Sequence, residues 1–249
     1  MSPVEGEYKR FREEGLCGSC GSNPALEGKS KCQKCLENDA SYRRDIRRLG
    51  VAPKASSKEI FLDPSRTRVG ILDIESTNLR ADFAITFCVV VKILGTSELR
   101  SFRIDLKELD MISAERKMLR EVNKYIKTLD GLVTYYGARF DVPFLRTRMF
   151  TQGINPFPKV RHLDLYFAVK RTLLLSRRRL QNVIEMFQAS GEKIPDKGRV
   201  EPAKWVRATY SRDMQALDEI VAHCIEDVYA LEAALLKLQN FVTDRVLRQ

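Results

Sequence analysis

The run Arg68–Ser76, RVGILDIES, is the strongest constraint on the fold. It is apolar enough to read as a short buried strand, yet it carries two acids. Side chains alternate across a strand, so Asp73 and Glu75 project from the same face, two residues apart. At the end of an apolar strand, repulsion and desolvation both oppose the ionisation of such a pair, and a shared metal ion removes the conflict. The acid–any–acid pattern alone is a weak motif, so the rest of the chain has to supply the other ligands.

The order of patterned segments after this strand defines the fold class. FAITFCVVVKIL and ELRSFRIDL read as two further strands, giving an early antiparallel run. Ile112, Leu119, Val122, Ile126 and Leu129 then recur at helical spacing, and GLVTYY follows as a strand. The remainder reads as helical: a segment opening near Asp141, another after Asp164, a third around LQNVIEMF and a long last one from about Asp213 to Leu238. Three strands, a helix, a strand and more helices predict an α/β fold, a mixed sheet with helices on both faces.

Four of the six cysteines stand near the start as Cys17-Gly-Ser-Cys20 and Cys32-Gln-Lys-Cys35. Two such turns complete a closed tetrahedral site, which predicts one structural Zn²⁺ with no open position for catalysis. Two disulfides or four unrelated thiols are the alternative, disfavoured by a reducing compartment and by the paired spacing. In the following SYRRDIRRLG, Arg43 with Arg47 and Arg44 with Arg48 share a helix face, either tracking phosphates or solvated. The expected organisation is a zinc-binding module over 1–50, a Pro- and Ser-containing linker over 51–67 and the main domain over 68–249. Cys88 and Cys224, in apolar segments, are expected to be buried core thiols.

The chain has 249 residues, 44% of them hydrophobic and 31% charged, which suits one good-sized core plus a small satellite and excludes a disordered or fibrous protein. A net charge of +10 favours polyanionic partners, nucleic acid first. No run of about 18 apolar residues occurs, and the N-terminus lacks the apolar stretch of a secretory signal, so a soluble, cytoplasmic protein with no membrane partner is expected.

Against this basic background, two more segments supply acids. In YYGARFDVPFL a strand ends at a glycine, and Asp141 stands at the start of a helix as a metal ligand, an N-cap or both. Phe140, Phe144 and Leu145 are core or wall residues. On the last helix, Leu217, Val221, Cys224, Val228, Leu231 and Leu235 form the buried stripe, with His223 and Asp227 four apart on one face at its edge. An aspartate there can ligate a metal. An imidazole, with an ordinary pKa of about 6.5, can take a proton from water at neutral pH.

The motifs DIE, FDVPFL and HCIED together resemble those of the DEDD 3′-5′ exonuclease superfamily, which has a ribonuclease H-like fold. The resemblance covers roughly Val69 to Leu238 and is nearest to the proofreading domains of family B DNA polymerases and their stand-alone relatives. RHLDLYFAVKR and RRRLQNVIEMF also resemble that group's linking helices. It implies that Asp73, Glu75, Asp141 and Asp227 hold two Mg²⁺ or Mn²⁺, that His223 orients or deprotonates the attacking water, and that Asp164 supports the site, with helix capping as its alternative. Two departures stand out. The histidine-bearing branch usually places that residue five positions before the final acid, whereas the spacing of four here belongs to the tyrosine-bearing branch. Asparagine is common in the family where this chain has Tyr136.

The implied reaction is hydrolysis of DNA from a 3′ end with release of nucleoside 5′-monophosphates. Tyr136, Phe140, Arg177, Arg178 and Arg179 are the candidate substrate contacts. Trp205, in the loop KIPDKGRVEPAKW, is a candidate for base stacking or packing. The same acids are compatible with a ribonuclease or a structure-dependent endonuclease, and an inactive zinc-bearing adaptor is the alternative of another class. A polymerase or helicase is a candidate partner for the zinc module.

Overall fold

The computed structural model describes residues 10, 13–17, 19–38, 57–192, 194 and 200–243. The expected basic helix face of Arg43, Arg44, Arg47 and Arg48 lies outside them. The chain divides into two compact units, Met1–Lys54 and Ala55–Gln249. Among the described residues, no helix is long and apolar enough to cross a membrane.

The larger unit is built on a five-stranded sheet, β1 (Val69–Ser76), β2 (Thr86–Ile93), β3 (Leu99–Arg103), β4 (Gly131–Thr134) and β5 (Arg161–Asp164), in the order β3-β2-β1-β4-β5. The β1–β2 and β2–β3 pairs are antiparallel, whereas β1–β4 and β4–β5 are parallel, so the sheet is mixed as expected. All eight residues of β2 are buried, the mark of a strand covered on both faces. Among the described residues, seven α-helices accompany the sheet: α1 (Ser57–Phe61), α2 (Met111–Ile126), α3 (Asp141–Thr151), α4 (Leu165–Thr172), α5 (Leu180–Ala189), α6 (Pro202–Tyr210) and α7 (Met214–Leu238).

Strand register determines which helix meets the acids. Ile71, Asp73 and Glu75 pair with Lys92, Val90 and Cys88, and these six side chains share one face. That face receives α7, where Cys224 meets Asp73 and Glu232 pairs with the buried Lys92 at 2.7 Å. All six residues of the expected α7 stripe are buried. On the other side, α2 packs on β2 and β3 and against α3. A buried network locks this layer: Glu115 of α2 accepts from the Thr86 amide, from Arg148 and from Gln152, while Arg148 also donates to the Ala81 carbonyl at 3.0 Å. It joins α2, the C-terminal part of α3, β2 and the segment that follows Glu75.

Four local expectations are corrected. GLVTYY leaves the sheet after Thr134, because Tyr136 takes a left-handed conformation at φ 68°. RHLD forms β5 before the expected helix begins at Leu165. The segment expected to be a loop around Trp205 is helical from Pro202, with the ring partly buried against the core. Within the expected linker, Ser57–Phe61 is helical and Phe61 is fully buried.

Candidate active site

The acids reach one cleft because three elements end or pass there. β1 carries Asp73 and Glu75 towards α7, and its ladder with β2 becomes irregular immediately after Glu75. α3 delivers Asp141 as its first residue. Phe140 is the N-cap and makes no side-chain capping bond, so the alternative capping role of Asp141 is set aside. On α7, His223 Nε2 lies 4.0 Å from Glu75 Oε1 and 3.9 Å from Asp227 Oδ2, which places the imidazole between acids of two elements. Burial, followed by the charge of Asp73 and then by Asp164 and Glu75, holds the Asp141 carboxyl well above the ordinary range. A cation beside it would oppose these effects and favour the carboxylate.

Asp164 shapes the turn that brings Asp141 in. Its carboxylate accepts from the amides of Tyr136 at 2.7 Å and Ala138 at 2.9 Å, and as the α4 N-cap it also accepts from Tyr166 at 3.1 Å. Capping of α4 and bracing of the Tyr136–Ala138 turn are therefore one set of bonds. Burial raises the Asp164 carboxyl, against the lowering effect of these three amides. Within the turn, a β-carbon on Gly137 would stand 2.5 Å from Thr134 and 2.7 Å from Asp141 Oδ2, so the close approach requires glycine.

Cys224, expected as a core thiol, is buried but has a polar partner: its Sγ donates to Asp73 Oδ2 at 3.2 Å. Burial, and then the neighbouring Cys88 thiol, push Cys224 well up, which keeps it a donor. Its place in an apolar stripe gave no sign of this contact.

A cavity of about 820 Å³ opens from Asp73 and Asp227. Tyr135, Tyr136 and Tyr166 line it on one side, and Arg177, Arg178 and Arg179 border it from the α4–α5 connection. Tyr135 donates its hydroxyl to the Arg178 carbonyl at 2.7 Å, tying this basic segment to the end of β4. The Tyr136 and Tyr166 rings meet edge to face at 4.8 Å. Phe140 does not line the cavity; its ring packs on Phe144 at 5.3 Å.

The two groups of candidate ligands differ in spacing. Among the described residues, the sulfurs of Cys17, Cys20, Cys32 and Cys35 are the one group of three or more donors that all lie within 4.8 Å of one another. Cys20 and Cys32 are 3.9 Å apart, close to the roughly 3.8 Å edge of a tetrahedron with Zn–S bonds of about 2.3 Å. The Cys17 amide bonds to Asn23 O and the Gly21 amide to Cys17 O, with Gly21 at φ 62°, so the first knuckle is a tight turn. Against the opposing effect of burial, backbone amides led by that of Cys32 lower the Cys17 thiol to about 6. Sulfur crowding, chiefly by Cys32, pushes Cys35 up to about 12. Four thiolates there need a cation, and this soft tetrahedral set fits zinc. Asp73, Glu75, Asp141 and Asp227, by contrast, are hard oxygen donors, the ligand type that suits Mg²⁺ or Mn²⁺ rather than zinc.

A mixed sheet in this strand order, with acids from β1, α3 and α7 converging on its open end, defines a ribonuclease H-like α/β protein. The chain belongs to the RNase_H superfamily, whose family model matches residues 71–239. It is 32% identical over 115 residues to DNA polymerase 1 of Pyrococcus abyssi, covering 36% of this chain and 15% of that protein. A longer match, 25% over 256 residues, links 86% of this chain to 13% of a DNA polymerase of Thermococcus aggregans. The chain thus spans a small part of the polymerases it matches. The family B DNA polymerase of Pyrobaculum calidifontis shares the fold, with a TM-score of 0.56 and 18% identity over 69% of this chain and 24% of that one. The resemblance read from the three motifs holds at the level of superfamily and of polymerase type.

Proposed function

We propose that the protein is a metal-dependent 3′-5′ exonuclease that hydrolyses DNA single strands or 3′ ends and releases nucleoside 5′-monophosphates. The observation that carries this reading is the convergence of Asp73, Glu75, Asp141, His223 and Asp227 beside a cavity bordered by three arginines. The similarity to DNA polymerases favours DNA over RNA as substrate. Two Mg²⁺ or Mn²⁺, when bound, activate water and stabilise charge on the leaving 3′ oxygen. Asp73, Glu75, Asp141 and Asp227 are the residues that hold them.

The remaining work falls to the protein's own groups. His223, between Glu75 and Asp227, accepts the proton of the attacking water or orients it. Arg177, Arg178 and Arg179 neutralise phosphates of the bound strand, and Tyr136 with Tyr166 offers ring surface to the terminal base. Asp164 holds the turn that carries Tyr136 and leads into Asp141.

End-labelled DNA and RNA of one sequence, single-stranded and duplex, incubated with Mg²⁺ or Mn²⁺, test the reading. The expected result is stepwise loss from the 3′ end of DNA, abolished by Asp73→Ala and by Asp227→Ala. Internal cuts would indicate the endonuclease alternative, faster loss of RNA the ribonuclease one, and undiminished activity in both variants would remove the assignment of the centre.

A further inference from the structure

Asp73 is supported from the helix side by a thiol. Cys224 sits on α7 between His223 and Asp227 in sequence, and its Sγ donates to Asp73 Oδ2 across 3.2 Å. Cys88, the cross-strand partner of Glu75, lies beside it, and both cysteines are fully buried. The thiol therefore acts from inside the packed layer, on the carboxylate that heads the acidic strand. The last torsion of an aspartate is broad, so the plane of its carboxylate is set by the partners around it. A hydrogen bond from a close-packed helix biases that plane before any ligand arrives. Sulfur is a weak donor, so it orients the group while withdrawing little of the negative charge that a cation needs.

We propose that Cys224 is a positioning residue for divalent-cation binding, fixing the plane of the Asp73 carboxylate through its S–H. The inference rests on the metal-centre reading above. It separates from ordinary core packing because the two roles rank substitutions in opposite order. Cys224→Val keeps apolar bulk and loses the donor, whereas Cys224→Ser keeps a donor and puts a hydroxyl into the core. Packing favours valine; positioning favours serine.

The test is calorimetric titration of Mn²⁺ alone into the full chain with its zinc retained, alongside melting of each protein in Mn²⁺-free buffer. Cys224→Val is expected to weaken Mn²⁺ binding roughly tenfold or more, the usual effect of removing a hydrogen bond that orients a ligand, while Cys224→Ser stays within about threefold of the unsubstituted protein. Should valine lower the melting temperature, Cys224→Ala replaces it as the donor-free variant, with the same expectation. Mn²⁺ affinity unchanged in the donor-free variant, or reduced equally by serine, overturns the positioning role and leaves the metal centre standing. An unsubstituted protein with no Mn²⁺ binding that Asp73→Ala removes overturns the metal centre and the positioning role together.

Discussion

Gly137 governs where Asp141 can stand. A methyl group there would press on both Thr134 and Asp141 Oδ2, at 2.5 and 2.7 Å, distances that β-carbons do not tolerate. Gly137→Ala is expected to slow cleavage of a labelled single strand about 100-fold, the scale of a 1 Å misplacement in an active site, while costing about 1–3 kcal/mol of stability. A rate near normal would mean that the turn yields without moving the acid. His162 makes a separate, pH-dependent contribution. Burial, reinforced by the charge of Arg146, lowers it from 6.5 to about 4, and its Nε2 pairs with Thr134 Oγ1 at 2.8 Å. The unfolded chain binds this proton more tightly than the folded one, so the contribution is full above about 6.5 and is lost as pH falls towards 4. The gap corresponds to roughly 3 kcal/mol. Denaturant titrations at several pH values should show this decline, and a weaker one in His162→Gln, whose side chain does not titrate; equal slopes would assign the acid sensitivity elsewhere. The convergence of the candidates Asp73, Glu75, Asp141, His223 and Asp227 was legible in the sequence because each stands at a fixed offset within a patterned segment. Gly137 against Asp141 and Cys224 against Asp73 were not, since each depends on a close approach in space, and a cysteine in an apolar stripe looks the same whether it meets leucine or a carboxylate.

Among the elements, α3 depends on an ion pair for its placement. Arg148 and Glu115 are almost wholly buried, with side-chain exposures of 3% and 0%, and join α3 to α2. Removing one charge strands the other. Glu115→Ala should therefore cost about 3–5 kcal/mol, whereas the double change Glu115→Leu with Arg148→Met should cost less than the single one. Denaturant midpoints of the three proteins measure this, and a double variant worse than the single would show that the network contributes more than mutual charge compensation. Because Arg148 also holds the Ala81 carbonyl, the single variant loosens the segment after Glu75 as well. Elements with many residues in phase were legible: β1, β2, β3, α2 and α7 all formed where their patterns placed them. β5 has four residues, too few for a period to show, and polar groups stand at both of its ends. The nine residues of α6 open on a proline in a charged stretch, so its start reads equally well as a turn. Helix α1 contributes one core residue, Phe61, which gives no repeat to detect.

At the scale of the whole molecule, the two units are stabilised by different physics. The larger one has a continuous apolar core drawn from Phe61 to Val242. Among the described residues of the smaller, the buried groups are Cys17 and Cys32, themselves candidate zinc ligands, so these residues offer little apolar surface to hold together without metal. A structural zinc site of this kind contributes its binding energy as folding energy. Elemental analysis of the full chain should therefore find about one zinc per molecule, and Cys32→Ser should lose it. In calorimetry, Cys32→Ser is expected to abolish the transition of the small unit and leave that of the large unit within a degree or two. Substitution is the cleaner perturbation here, because a chelator would also strip the Mg²⁺ or Mn²⁺ on which hydrolysis is proposed to depend. With Mg²⁺ supplied, cleavage of a short single strand should persist in Cys32→Ser, since every proposed catalytic residue lies between Asp73 and Asp227. If the large-unit transition instead moved down with zinc loss and cleavage fell in parallel, the two units would be one cooperative structure, and the four cysteines would belong to the stability of the nuclease centre itself.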